Sequence, residues 1–522
     1  MVKVLDLSTE EVTKAIQEGK VTICVVGLGY VGLPLAVLFA SEGAQVLGCV
    51  RTEKSAQKIN RGETNVVEHD VSALLSEGAS MLESPCPNCG VRLFRLQKET
   101  FCPSCGRLAS LTKFGVQLQD NTAVAHERVV KSRQSLDDML KITIKAGKFH
   151  ANTQTIESVQ QSDVTLITVG TPIDKKNIPD YHDLRNACQN VGQGLKKDIL
   201  VVLKSTVSPG TTETVVKPIL EEMSGLKAGT DFGLAFMPET IKEGHALYEF
   251  RTLPRIVGGI SKRCATAAAN VFSIFPAPIY AYDKPSTVEA AKLFMNIYRD
   301  VNIALANELA LTSEKLGINV VQAINAANID PKTHLLTPGL VGGYCLPKDT
   351  YQLAHPSKKA GYFPRLMTLA RQLNNNIPGH ILELIGEVFE EMNLPLIGSR
   401  IAVLGLSFKA NSGDLRNTPS QFIVNGLNKR GAVLTAHDPF VQFEEARKVF
   451  PKVSFTRNIE ESVKGVACTV IVTDHLEYRG LTASYLKKLM SSPCAIVDAR
   501  HIIDPEEAQK AGVVFRGFGK PK

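Results

Sequence analysis

No apolar run in this 522-residue chain is long enough to cross a bilayer, since a helical span needs about 20 consecutive apolar residues. A role as a helical membrane protein is therefore not expected. Basic clusters are missing too: the 59 Lys and Arg residues are scattered, and the formal net charge of +7 is mild for this length. Nucleic-acid arms concentrate positive charge in runs, so the balance suits anionic small molecules instead and requires no nucleic-acid partner. Repeats and low-complexity tracts are also lacking. A secretory leader is not expected, because Asp6, Glu10, Glu11 and Glu18 precede any apolar stretch where a leader carries a basic start and an apolar centre. Ser8 and Glu11 have instead the spacing of a capping box opening a short amphipathic helix. A cytoplasmic setting follows. Disulfides are disfavoured there, so the 11 cysteines need another explanation.

What is present reads as roughly three α/β domains with substantial cores; apolar residues at 44% and charged residues at 21% are ordinary values. Thr22–Val26 is a short β-rich run feeding into Gly27-Leu28-Gly29-Tyr30-Val31-Gly32. Leu33–Ala40 then follows helical period and Ala44–Val50 reads as the next buried strand. That is the strand–turn–helix–strand setting of a dinucleotide-binding fingerprint. Gly27, Gly29, Tyr30, Val31 and Gly32 become cofactor-binding candidates, with a pyrophosphate resting on the helix N-terminus. One element departs from the NAD pattern. The acidic residue expected about 20 residues on, for the ribose hydroxyl, is replaced by Val50, followed by Arg51 and Thr52. Arg51 could pair with a 2′-phosphate, which keeps NADP open beside NAD; Glu53 could take the ribose contact; or Arg51 is a solvated charge.

Cys86-Pro87-Asn88-Cys89-Gly90 and Cys102-Pro103-Ser104-Cys105-Gly106 are two matching knuckles. Two such turns supply four thiolates to one ion, a closed tetrahedral zinc shell with no open position for catalysis. The site is therefore expected to be structural. The stretch from about Ser72 to Gln134 reads as an insertion, since a doubly wound pattern resumes after it. Its basic residues Arg92, Arg95 and Lys98 could touch a partner or form a solvated face.

From Ser162 strands return: Asp163–Gly170 before Thr171, and Ile199–Lys204 before Ser205 and Thr206. Hydroxyls at such strand ends lie on the ligand edge of a parallel sheet. Phe236-Met237-Pro238-Glu239 opens a polar loop after another apolar strand. Ser286–Gly317 is one long helical pattern opened by Ser286-x-x-Glu289, with Lys292 and Asn296 four apart on one face. At over roughly 40 Å it would bridge domains or build a dimer, and the pair is a candidate for holding an oxyanion. A second helical stretch, Met367–Met392, precedes another α/β unit at Arg400–Leu404. Its turn, Gly405-Leu406-Ser407-Phe408-Lys409, lacks the later fingerprint glycines, so it is not expected to bind a dinucleotide in the same way. Lys409, Arg416 and Arg500 lie where phosphate contacts are expected.

The most specific feature is Val341-Gly342-Gly343-Tyr344-Cys345-Leu346-Pro347-Lys348-Asp349. The two glycines let backbone approach a ligand, and Lys348 beside the thiol favours a thiolate. With a hydride acceptor, such a thiolate can carry an alcohol past the aldehyde to an acid through a thiohemiacetal and a thioester. The other reading is an inert buried cysteine on a glycine-rich turn.

Taken with Lys-Ser-Thr-Val (204–207), Pro-Glu-x-x-x-Glu-Gly (238–244), Lys-Leu-Phe-Met-Asn (292–296), Gly-Leu-Ser-Phe-Lys (405–409) and Val-Asp-Ala-Arg (497–500), these motifs make the chain resemble the UDP-glucose/GDP-mannose dehydrogenase family. The resemblance implies an α/β fold of two Rossmann-like doubly wound domains joined by a central helical dimerisation region, here with a small zinc-ribbon insertion. The expected segments are a helical extension (1–20), an NAD(P)-binding domain (21–284, with 72–134 inserted), a helical dimerisation domain (285–395) and a UDP-sugar-binding domain (396–522).

The resemblance further implies Cys345 as nucleophile, Lys292 and Asn296 as oxyanion stabilisers, Asp349 as a group that positions or activates water, and Glu239 in proton transfer. Thr171, Thr206, Lys348 and Arg416 match cofactor-side positions. Lys242, Lys292, Asn296, Lys332, Gly342, Lys409 and Arg500 match the substrate side. The implied reaction is the four-electron, NAD-dependent oxidation of the C6 hydroxyl of a UDP-sugar to a uronic acid for surface polysaccharide or glycoprotein glycans, in a homodimer or larger homo-oligomer. Val50, Thr240 and the zinc insert depart from the family pattern. The short Asp330–Cys345 segment and Ala370-Arg371-Gln372-Leu373-Asn374 resemble members acting on UDP-N-acetylhexosamines, UDP-N-acetylmannosamine first; Thr350 and the Cys345 motif itself lie closer to the UDP-glucose form. A reading of another class is a catalytically silent sugar-nucleotide-binding protein acting through the zinc hairpin.

Overall fold

The structure, a computed structural model, describes residues 2–64, 69–70, 80–85, 92–96, 99–101, 109–112, 115–118, 134–241 and 246–521. The chain divides into two compact units, Met1–Lys292 and Leu293–Lys522. In the first, Ser8 and Glu11 form the expected capping box on the helix Thr9–Gln17. Strand β1 (Thr22–Val26), the helix Gly32–Ser41 and β2 (Gln45–Cys49) then follow in the order the hydrophobic pattern demands. The inserted stretch carries short strands β3 (His69–Asp70), β4 (Ser80–Pro85), β5 (Arg92–Leu96), β6 (Glu99–Phe101), β7 (Ala109–Thr112), β8 (Gly115–Leu118) and β9 (Gln134–Ser135). They pair antiparallel among themselves: β3 with β9, β5 with both β4 and β6, and β7 with β8.

The main sheet continues with β10 (Phe149–Asn152), β11 (Val164–Ile167), β12 (Leu200–Leu203), β13 (Gly233–Phe236), β14 (Arg255–Gly259) and β15 (Ile279–Tyr282), in the order β10-β2-β1-β11-β12-β13-β14-β15. Only the β13–β14 pair is antiparallel. The first six strands have the doubly wound 3-2-1-4-5-6 order, whose topological switch lies between β1 and β11. Strands buried on both faces read as continuous apolar runs, and β11 and β12 are buried throughout. The pattern resumes at β10, earlier than Ser162. That edge strand pairs only with β2, and its Phe-His-Ala-Asn sequence alternates buried with open positions, so it carries no apolar run to betray it.

The 32-residue helix Pro285–Leu316 contains the division between the units and is about 48 Å long. It starts at Pro285, and Glu289 turns to the Gly210–Thr212 turn instead of capping its own helix with Ser286. Helices Leu346–Lys359 and Arg365–Glu391 follow. The second unit then adds β16 (Arg400–Leu404), β17 (Val433–His437), β18 (Ser454–Thr456), β19 (Cys468–Ile471), β20 (Ala495–Asp498) and β21 (Val514–Gly517). The order β18-β17-β16-β19-β20-β21, all parallel, repeats the doubly wound arrangement.

Each sheet has a core on both faces because side chains alternate along a strand. Ile23 and Val25 enter one core of the first unit, Cys24 and Val26 the other. Ile401 and Val403 do the same against Ala402 and Leu404 in the second. Fully burying one such side chain contributes about 1.5–3 kcal/mol. Among the described residues no helix is long and apolar enough to cross a membrane.

Candidate functional site

In the first unit, β1 ends on a turn that only glycines can make. Gly27 has φ +102°, and a Cβ at Gly32 would stand 1.8 Å from the Gly27 carbonyl oxygen. Thr168 braces the turn from β11, its Oγ1 donating to the carbonyls of Gly27 (2.6 Å) and Val26 (3.0 Å). Gly29 differs: a Cβ there would meet nothing within 4 Å, so it faces open space. The helix Gly32–Ser41 starts at this point, and its N-cap, Val31, supplies no side-chain cap. Backbone N–H groups at a helix start are suited to an anionic phosphate, so the residues present fit a dinucleotide diphosphate. Tyr30 and Val50 are half-buried against the core. Arg51 is paired with Asp183 on the helix His182–Gly194, which offsets within the chain the charge a 2′-phosphate would seek.

The ends of β11, β12 and β13 bring further candidates together. Thr171 Oγ1 donates to the Thr206 carbonyl at 2.5 Å, and Ser205 Oγ to that of Val169 at 2.6 Å. Lys204 is fully buried. Its Nζ lies 3.4 Å from Glu239 Oε2 and over the rings of Phe250 and Phe272. Burial pulls its pKa down, against the pull of Glu239. Glu239 Oε1 accepts from the backbone N–H of Thr240 (3.0 Å) and Ile241 (3.1 Å). Lys204 appeared in the sequence only as part of a motif; the signal for its role was a lysine closing an otherwise apolar strand. Lys292 is buried one turn after Glu289. Glu289 was missed as well: it accepts from Gly210 N (2.5 Å), Thr212 N (2.8 Å) and Thr212 Oγ1 (2.6 Å), and burial pushes its carboxyl up to about 7.

In the second unit, Cys345 is exposed and stands at the N-cap of the helix Leu346–Lys359, with Pro347 in its first turn. Exposure removes the inert-core reading, and helix-terminal peptide dipoles favour negative charge on the sulfur. The N–H groups of Lys348 (3.1 Å) and Asp349 (3.0 Å) both donate to the Cys345 carbonyl. Lys348 Nζ is 3.4 Å from Asp349 Oδ1 and lies over the Tyr344 ring. Asp349, almost wholly buried, accepts at Oδ2 from Asn296 Nδ2 at 2.6 Å. Lysine, carboxylate and amide thus form one cluster at the first turn of the helix that Cys345 opens.

The glycines before Cys345 are needed for contact with the chain itself. A Cβ on Gly342 would be 2.6 Å from Pro419 Cδ, and one on Gly343 (φ +85°) 2.5 Å from the Phe408 ring. The Cys345 loop is therefore seated on the turn carrying half-buried Lys409. Arg416 is held bidentate by Asp414 and lies over the Tyr344 ring. Arg500 pairs with Asp474 and packs against Gly339. Lys332 is exposed, away from these pairings. Lys242 and the cysteines Cys86, Cys89, Cys102 and Cys105 lie outside the described residues. Among the described residues no cluster of His, Cys, Asp and Glu is placed to hold a metal.

The turn after β16 also accounts for the lack of a second fingerprint. Buried Asp438, just past β17, accepts at Oδ2 from the N–H groups of Leu406 (2.8 Å) and Ser407 (3.0 Å). Burial opposes its ionisation, but His475 and these N–H groups outweigh it and hold the carboxyl at about 2. An internal carboxylate already occupies the donors that a dinucleotide phosphate would use.

Comparison with known proteins agrees with this division. The NAD binding domain model of the UDP-glucose/GDP-mannose dehydrogenase family matches residues 21–83 and 122–276, the central domain model 286–376 and the UDP binding domain model 402–505. The model described as Sjogren's syndrome/scleroderma autoantigen 1 (Autoantigen p27) matches 70–106, a stretch that takes in Cys86, Cys89, Cys102 and Cys105. The chain is similar to the UDP-N-acetyl-D-mannosamine dehydrogenase of Pyrococcus horikoshii, at 30% identity over 95% of this chain and 99% of that one. The solved structure of that organism's UDP-D-ManNAc dehydrogenase superposes with a TM-score of 0.76 at 30% identity, covering 96% of this chain and 99% of the other. The NDP-N-acetyl-D-galactosaminuronic acid dehydrogenase of Methanosarcina mazei superposes with a TM-score of 0.71 at 31% identity, covering 100% and 98%. With an NAD-binding domain, a central domain and a UDP-binding domain matched in order along one chain, this protein belongs to the UDP-glucose/GDP-mannose dehydrogenase family and is an oxidoreductase of nucleotide sugars.

Proposed function

We propose that the protein oxidises the C6 hydroxyl of UDP-N-acetylmannosamine to the uronic acid through a covalent intermediate on Cys345. The observation that carries this reading is the exposed thiol at a helix N-terminus, with Asp349 hydrogen-bonded to Asn296 one turn along. NAD, when bound, supplies the hydride acceptor for both oxidations, so two are reduced per acid formed. The C6 carbon gives up a hydride while its hydroxyl passes a proton towards Glu239, leaving an aldehyde. The Cys345 thiolate adds to that carbon, and the developing oxyanion is stabilised by Lys292 and Asn296. Loss of the second hydride leaves a thioester. Asp349 takes a proton from the attacking water; the carbon–sulfur bond breaks, releasing the thiolate and the carboxylic acid, which gives its own proton to solvent to leave the carboxylate. On this reading Thr171, Thr206, Lys348 and Arg416 serve the cofactor, and Lys242, Lys332, Gly342, Lys409 and Arg500 the UDP-sugar.

The sugar assignment is supported by the name of the Pyrococcus horikoshii relative and by the Arg371–Asn374 motif. The Arg51–Asp183 pair favours NAD over NADP. The same reading takes in a structural zinc on Cys86, Cys89, Cys102 and Cys105, a homodimer, a cytoplasmic location and the domain limits 1–20, 21–284, 285–395 and 396–522.

The test is cofactor reduction at 340 nm with UDP-N-acetylmannosamine, UDP-N-acetylglucosamine and UDP-glucose, each with NAD and NADP. We expect NAD and UDP-N-acetylmannosamine to give the highest kcat/KM, and Cys345→Ser to bind UDP-sugar normally while losing acid formation by about 10³-fold or more. A preference for UDP-glucose would overturn the sugar assignment. Normal acid production by Cys345→Ser would end the thioester route.

A further inference from the structure

Asn296 and Asp349 meet at 2.6 Å although they belong to different helices, so their contact depends on how those helices are registered. Asp300 lies one turn beyond Asn296 on the same helix, and Thr350 directly follows Asp349. Thr350 Oγ1 donates to Asp300 Oδ2 at 3.4 Å, a second rung between the same two helices. Asp300 Oδ1 accepts from Arg371 Nη1 at 2.6 Å and from Asn374 Nδ2 at 2.9 Å, and its backbone carbonyl also accepts from Asn374 at 2.9 Å. Arg371 and Asn374 lie on the third helix, Arg365–Glu391.

From Asn374 the network runs on. Its Oδ1 accepts from Asn307 Nδ2 at 2.8 Å. Asn307 then clamps the backbone of Gly339 on both sides: the Gly339 N–H donates to Asn307 Oδ1 at 2.7 Å, and Asn307 Nδ2 donates to the Gly339 carbonyl at 3.1 Å. Gly339 begins the loop that reaches Cys345 six residues later. Asp300, Asn307, Thr350, Arg371 and Asn374 are all essentially removed from solvent. Apolar packing holds helices together without direction, whereas buried hydrogen bonds are directional and favour one arrangement; of this network's side-chain atoms, Arg371 Nη2 is buried without a partner among the described residues.

We propose that Asp300, Arg371, Asn374 and Asn307 are positioning residues that set the helix register at Asn296 and Asp349 and anchor the Cys345 loop through Gly339. None of the four touches the reacting atoms; they act through the groups that do. The inference rests on the reading of Cys345, Asn296 and Asp349 as catalytic. A displacement near 1 Å at such groups can lower turnover about a hundredfold, so the loss appears in kcat.

The experiment compares Asn307→Ala, Asn374→Ala, their double variant and Arg371→Lys with the wild type and Cys345→Ser, using the UDP-sugar the wild type turns over best. Assays run well below each variant's melting temperature. Expected are a fall in kcat of about tenfold or more for each alanine variant and a KM for NAD that changes less than kcat does, since the glycine turn that would hold the diphosphate is built in the first unit. The double variant should lose less than the product of the two singles, because the residues belong to one chain of bonds. The alkylation rate of Cys345 should change in the same variants. Arg371→Lys should also lower kcat, because its single ammonium cannot reproduce the Nη1 bond to Asp300 together with the Nε bond to Asn375.

If Arg371→Lys does not fold, the asparagine variants still decide. Folded Asn307→Ala and Asn374→Ala proteins with kcat within twofold of wild type and unchanged alkylation would overturn the proposal. Acid production by Cys345→Ser would instead refute the catalytic reading beneath it, and the two failures are separate.

Discussion

Glu289 is a fully buried carboxylate whose three hydrogen bonds come from the Gly210–Thr212 turn, just beyond the strand end that carries Lys204 and Thr206. Burial is the largest influence and pushes its carboxyl up to about 7. In the unfolded chain it would lose its proton in the usual carboxylate range near 4.3. Between those values the folded protein binds more protons than the unfolded one, so stability falls as pH rises. The contribution is fully present below the unfolded value and lost by the time pH passes about 7; its size is on the order of 3 kcal/mol. Glu289→Gln should therefore flatten the decline in melting temperature between pH 5 and pH 8. Equal slopes for variant and wild type would remove Glu289 as the cause. None of this was legible in the sequence, where Glu289 read as half of a capping box with Ser286. Local spacing allowed that pairing, and a turn 77 residues earlier competed for the carboxylate and won.

At the scale of elements, regular hydrophobic patterns were readable and exceptions were not. The runs that became β1, β11, β12 and β16 were plain because both faces of those strands are buried. β10 was invisible because an edge strand of four residues needs only two inward positions. The long helix Pro285–Leu316 was readable from periodicity, yet the network through Asp300 and Asn307 was not, since its partners come from two other helices and a loop. The insertion between β2 and β10 is bounded by strands that belong to one doubly wound sheet. Its sequence holds two C-x-x-C motifs whose four cysteines have the spacing of a zinc shell. Each purified chain should carry about one zinc, and chelation should lower the melting temperature, because metal binding to such a site is folding free energy. A metal-free preparation that melts at the same temperature would contradict a structural site.

For the molecule as a whole, the central helices display apolar side chains that their own unit leaves open. Tyr298 is 65% exposed, Leu366 72% and Leu369 64%, with Phe294, Met295 and Leu305 also exposed on the long helix. Large exposed apolar residues on the helices Pro285–Leu316 and Arg365–Glu391 suit an interaction surface, and a second copy of the chain is the occupant expected from the family. Light scattering should give the mass of two chains or a multiple of two, and Tyr298→Asp with Leu366→Asp should shift it towards one. A monomeric wild type at micromolar concentration would sink this assignment.

The chain alone determined the two doubly wound units, the glycine turn, the thiol motif and the family, because these depend on short-range patterns: strand period, glycine conformation and the spacing of reactive residues. Tertiary structure decided the partners. It paired Lys204 with Glu239, Arg51 with Asp183, Asp438 with the second turn and Asn296 with Asp349, contacts spanning between 31 and 132 residues of sequence. Hydrogen bonds and ion pairs depend on distance in space, and only a folded chain sets that distance.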